Sequence, residues 1–251
     1  MDYYDLGSYS RTVTTTSDES QRWFDRGLVW TYAFNHEEAI ACFARALEQD
    51  PDCALAHWGI AYGIGPNYNK PWEAFEDDER PDALALARSS IAAATALKDK
   101  VTPVERALIE AIEHRYPEDA SIEDFTRWTD AYADAMREVH RNFPQDLDIC
   151  CLFAEAMMNR TPWQLWDLAT GEPAIGADTL EARDVLETAF GELNGAWEHA
   201  GLLHMYIHLM EMSPHPERAL RHGDHLATLV PDAGHLAHMP THIDVLCGDY
   251  M

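Results

Sequence analysis

Lysine is almost missing from this sequence: Lys70, Lys98 and Lys100 are the only three in 251 residues. Lysine and arginine together number 18 against 44 acidic residues, a formal charge of −26. Such a surface repels phosphate backbones and anionic lipid, whose recognition depends on basic side chains displacing counterions. The balance argues against nucleic acid and against a membrane surface as partners. Also missing is any uninterrupted apolar run long enough to cross a bilayer, and residues 1–20 hold neither a basic leader nor an apolar stretch. A cytoplasmic protein is the expectation. The five cysteines are odd in number and lack zinc-ribbon spacing, so they are expected to be reduced and mostly buried. There is no P-loop, no dinucleotide fingerprint and no G-x-S-x-G elbow. No run shows the two-residue period of a strand.

What the sequence does have is helical periodicity at a fixed spacing. Residues 20–51 carry Trp23, Gly27, Ala39, Phe43, Ala46 and a closing Pro51. That is the tetratricopeptide pattern of an aromatic, a glycine where two helices cross closely, A-x3-F and a terminal proline. The segment resembles the tetratricopeptide (TPR) family, with Arg26 and Trp30 where Leu and Tyr are usual. Taking Pro51 as position 32 makes Ser20 position 1. The frame recurs downstream. Pro144 closes a helix containing Tyr132, Met136 and Val139, Pro231 closes one containing Ala219, and residues 248–250 read Gly-Asp-Tyr, as at the turn between paired helices.

The resemblance implies an all-α fold, a right-handed α-solenoid of antiparallel helix pairs over 20–251 behind an N-terminal extension, 1–19. First helices are predicted near 20–34, 54–64, 103–116, 147–159, 200–212 and 235–247. Second helices are predicted near 36–49, 81–97, 121–142, 179–193 and 216–229. The array is then about five helix pairs plus one unpaired last helix. That helix exposes an apolar face, which either further chain covers, this sequence being a piece of a longer solenoid, or another chain covers by self-association.

Two insertions interrupt the rhythm, near 65–80 and 160–178, and each carries Asn with Pro-Trp: NYNKPW at 67–72 and NRTPW at 159–163. Ordered insertions in such arrays are often functional, so these are expected to close over a groove as lids; the alternative is that Trp72 and Trp163 cap the core.

Most of the thirteen histidines lie in the last fifth of the chain. His204 and His208 are four apart, His238 and His242 are four apart, and the second pair follows the first by 34 residues, one repeat length. Residues four apart share a helix face, about 5–6 Å between Cβ atoms, and packed helices lie about 8–10 Å apart, so rings from two helices can meet. Both pairs occupy positions 5 and 9 of the frame. By the family resemblance, positions 2, 5, 9 and 12 of first helices point into the concave groove. The same frame brings Glu211 and His235 there, along with Glu155, Asn159, Trp58 and Tyr62, and the insertions add Asn67, Asn69 and Trp163.

Neutral imidazoles with carboxylates suit a divalent transition metal, Fe, Cu or Zn. His204, His208, Glu211, His238 and His242 are the expected ligands, with Glu155 a further ligand or a general base acting on a small molecule. Iron or copper would suggest oxidation and zinc hydrolysis. The alternative is a non-catalytic scaffold whose groove captures a peptide or protein partner, a basic one given the acidic surface. His36, His114 and His140 are expected on the surface, and His57 and His199 reach the groove only in a shifted frame. Pro240 falls between His238 and His242, where a helix must kink or start. Over most of its length the chain also resembles a group of long TPR proteins of bacteria and fungi with a YIH…GHLxHMPxHI signature. Tyr206-Ile207-His208, Gly234 to Ile243 and GPNYN at 65–69 carry it. The group has no established activity, so this likeness implies the fold and no reaction.

Overall fold

The computed structural model describes residues 3–116 and 124–249. The chain is all-helical; among the described residues the only extended pairings are two isolated bridges, Asn67 with Lys70 and Trp166 with Pro173. It divides into two compact units, Ser10–Phe143 and Pro144–Met251, the second including Met1–Tyr9.

The first unit holds α1 (Asp18–Tyr32), α2 (His36–Gln49), α3 (Ala54–Gly63), α4 (Glu79–Leu97), α5 (Pro103–Ile112) and α6 (Thr126–Asn142). Their starts follow local chemistry. Ser17 and Asn35 accept from the amides of Ser20 and Glu38, and Thr102 with Glu105 forms a capping box ahead of Pro103, each satisfying donors that the first turn leaves orphaned. Each helix packs on the next through α4, and α1, α3 and α5 also touch in sequence. At the first crossing the Phe43 ring is wedged between Gly27 and Gly59: a Cβ at Gly27 would sit 2.6 Å from the ring and one at Gly59 2.7 Å from it. Hydrogen is what lets α1, α2 and α3 approach. The predicted start of α6 near 121 falls outside the described residues.

The second unit holds α7 (Leu147–Met158), α8 (Thr179–Glu192), α9 (Ala200–Met210), α10 (Leu220–Leu229), α11 (Gly234–His238) and α12 (Pro240–Cys247). All residues of α9 are buried, and it touches α7, α8, α10 and α12. Its N-terminus is capped by His199, whose Nδ1 accepts from the Leu202 amide while Nε2 donates to Asp148 at 3.2 Å. Pro240 ends one helix and opens the next, as its missing N–H and ring require: α11 stops at His238 and Pro240 is the first residue of α12. Tyr3–Tyr9 packs on this unit, with the Asp5 amide donating to the Asp232 carboxylate at 2.6 Å and the Asp232 amide to the Asp5 carbonyl at 3.1 Å. Among the described residues no helix is long and apolar enough to cross a membrane. Cys42, Cys53, Cys150 and Cys151 are buried free thiols, and Cys247 is an exposed one.

Candidate metal centre

The central helix α9 is apolar all round except for its histidines, and a helix buried on every side forces any polar group on it to find partners inside the protein. His204 and His208 are fully buried there. They lie one turn apart, ring centroids 4.6 Å from each other. From α11 comes His235, whose Nε2 lies 3.0 Å from that of His204. One ring nitrogen from each of His204, His208 and His235 lies within 4.8 Å of the other two. His235, expected in the groove but not among the ligands, is thus the third member of the cluster.

Glu211, one residue past α9, shapes the set from outside. Its Oε1 accepts from His208 Nδ1 at 2.8 Å and its Oε2 accepts from His242 Nδ1. With Nδ1 carrying the proton, the lone pair of His208 is on Nε2, the tautomer a ligating imidazole needs. The spacing reading makes Glu211 a ligand; the structure gives both its oxygens to imidazole N–H groups, so it orients the rings. His238 and His242 adjoin the buried set as a separate pair, Nε2 to Nε2 2.7 Å, with the ring centroids of His235 and His238 6.2 Å apart and those of His208 and His242 6.4 Å apart.

The electrostatics favour neutral rings. Burial pushes the His208 imidazole well below the usual histidine range, and the nearby His235, His242 and His238 add to the effect. Burial lowers His235 too, again helped by His238 and His242 and opposed by Glu211. The Glu211 carboxyl is raised by burial, against the downward pull of its hydrogen bond from His242. Neutral imidazole is the form that binds a metal. Two nitrogens held at about 2.0–2.1 Å by one ion lie roughly 2.8–3.4 Å apart between a right angle and the tetrahedral angle, and His204 with His235 falls within that range.

The insertion between α7 and α8 borders this cluster. Trp166 Nε1 donates to the Leu209 carbonyl on α9 at 2.7 Å, and its ends are tied by Ala174 N to Leu165 O at 3.0 Å. Trp163 stands edge-on to His208, centroids 6.0 Å apart, and remains 43% exposed. Its φ of 62° is left-handed, a conformation that costs a non-glycine residue about 1–3 kcal/mol and recurs at functional sites. Glu155 is buried on α7, which packs on α9, and accepts from Asn159 Nδ2 at 3.4 Å.

The other expected groove residues belong to the first unit. Trp58 and Tyr62 are fully buried on α3. The Arg115 guanidinium lies 3.9 Å over the Tyr62 ring and 4.9 Å from the Tyr132 centroid, and it donates to the Pro66 carbonyl. Asn67 is a turn-former: its Oδ1 accepts from the amides of Asn69 and Lys70, both at 2.9 Å. Trp72 is buried, stacked on Phe125 at 5.7 Å. Of the two tryptophans that sequence reading could not separate, Trp72 therefore caps a core and Trp163 faces outward beside the histidines.

Two further histidines, one half-buried and one buried, lie away from the cluster. His36, expected on the surface, donates from Nδ1 to the Gly63 carbonyl at 2.9 Å, and its Nε2 is buried without a hydrogen-bond partner. His222 packs on Trp197 and Tyr206, centroids 4.8 and 4.0 Å away. Burial lowers each to about 4, Arg115 adding to the effect at His36. The unfolded chain takes these protons near the ordinary histidine value, about 6.5, and the folded chain does not. Stability is therefore intact above that pH and falls as pH drops toward 4, by about 2 kcal/mol per ring between pH 7 and pH 5. Urea midpoints at the two pH values, in salt high enough to screen the net charge, check this; a midpoint that holds or rises on acidification would contradict it. No protein-family model, no curated protein and no solved structure matches this chain.

Proposed function

We propose that this chain is a tetratricopeptide-type helical protein whose second unit binds a divalent transition metal through His204, His208 and His235. The observation that carries the reading is the convergence of three imidazole nitrogens from α9 and α11 within 4.8 Å, two of the rings fully buried. Three imidazoles at that spacing, two of them fully buried, offer one ion three nitrogen donors at once. The repeat assignment is supported by the order of helix starts and by the Gly27–Phe43–Gly59 crossing. Right-handed solenoid geometry is part of the proposal.

The roles proposed for the residues are as follows. His204, His208 and His235 hold the ion, and Glu211 fixes the His208 ring through its Nδ1 proton. Trp163 supplies an aromatic wall for a small molecule beside the ion, and Glu155 is the proton acceptor on the neighbouring helix. Bound there, zinc would supply Lewis-acid chemistry suited to hydrolysis, and iron or copper electron transfer suited to oxidation.

Elemental analysis of protein purified without a chelating tag tests this directly. About one zinc, iron or copper per chain is expected. Metal-free protein that also fails to take up added Zn2+ or Co2+ would overturn the reading and return the groove to the peptide-binding alternative.

A further inference from the structure

The three-histidine cluster does not use His238 or His242, and these two make an arrangement of their own. They sit on opposite sides of the helix break at Met239, His238 closing α11 and His242 in the first turn of α12. The break turns the rings toward each other, so that their Nε2 atoms are 2.7 Å apart. Two nitrogens at that distance cannot both carry a proton, and two lone pairs there repel; one proton or one cation must lie between them. The separation is close to the roughly 3 Å bite of two nitrogens held at a right angle by one ion at about 2.0–2.1 Å. His242 is held by Glu211 through Nδ1, which leaves its Nε2 as the lone-pair nitrogen, and His238 is exposed to solvent.

We propose that His238 and His242 form a second, solvent-open metal position, so that the cluster holds two divalent ions of the nickel, copper or zinc class. This rests on the first ion being held by His204, His208 and His235. Glu211 is the shared element: one oxygen takes the His208 proton and the other the His242 proton. The same carboxylate therefore orients one ligand of each ion. Two imidazoles and solvent make the second position the weaker of the two. Ring separations of 6.2 and 6.4 Å between the sets, His235 to His238 and His208 to His242, keep the positions adjacent.

Titration of metal-stripped full-length protein with Zn2+, and separately with Ni2+, reads the stoichiometry, with equilibrium dialysis as the count. The parent is expected to bind two ions, one tightly and one at least tenfold more weakly. His238→Ala is expected to bind only the tight one. Circular dichroism confirms its fold, and His225→Ala, a control on α10, should still bind two. One ion in both the parent and His238→Ala would overturn the second position and leave the three-histidine reading standing. One ion in the parent and none in His238→Ala would overturn it in favour of a single centre that includes the pair. No ion in the parent would remove both readings together.

Discussion

His208→Ala should reduce affinity for Zn2+ or Co2+ by at least two orders of magnitude, read by competition with a chelating indicator. The His208 ring is fully buried. In the proposed site, losing it removes one of three protein ligands and leaves Glu211 a carboxylate with one imidazole partner instead of two. Loss of a group that only orients a ligand costs about 10–100-fold, and loss of the ligand itself should exceed that. Glu211→Gln supplies the lesser case: the amide can accept from one Nδ1 but must present its NH2 to the other, so one ring is turned. His222→Ala, which empties an aromatic pocket instead of a ligand position, should leave affinity unchanged. Equal affinity in His208→Ala and His222→Ala would remove His208 from the site.

The second large effect is on stability. Phe43→Ala should destabilise the first unit by about 3–5 kcal/mol, because a fully buried ring leaves a cavity that the flanking helices cannot collapse into. The reverse change, Gly59→Ala, should cost about 1–3 kcal/mol, since the new methyl would lie 2.7 Å from the same ring. The two costs should not add. In Gly59→Ala with Phe43→Leu, the smaller side chain yields the space the methyl needs, so the double variant should be more stable than the sum of the singles. Urea unfolding of the parent, Gly59→Ala, Phe43→Leu and the double variant gives the coupling. Strict additivity, or a Gly59→Ala protein as stable as the parent, would show that the ring is not wedged there.

The helices were legible in the sequence because their boundaries are local. Predicted starts at 36, 54, 103, 147, 179 and 200 coincide with the observed ones, each set by a cap, a proline or the repeat spacing. Where the start depends on more than one signal the reading drifts. A helix expected from 216 begins as a 3-10 turn over Pro216–Ala219, and α10 proper starts at Leu220. The pairing of His204 with His208 was also legible, being a property of one helix. What His235 and Glu211 do was not, since each depends on the crossing of α9 with α11 and α12 and on ring rotamers. The half-buried position of His36, expected on the surface, escaped for a similar reason: its partner, Gly63, comes from another segment.

The strap made by Tyr3–Tyr9 bears on how the protein is made. Asp5 and Asp232, joined by two hydrogen bonds, are 227 residues apart in sequence. Asp5 is synthesised 227 residues before Asp232, so the strap must wait until the intervening helices have been made. The unit that carries the histidines is therefore not closed by its strap until Asp232 has been made. Until then the Asp5 amide and carbonyl that Asp232 will pair remain open to other partners.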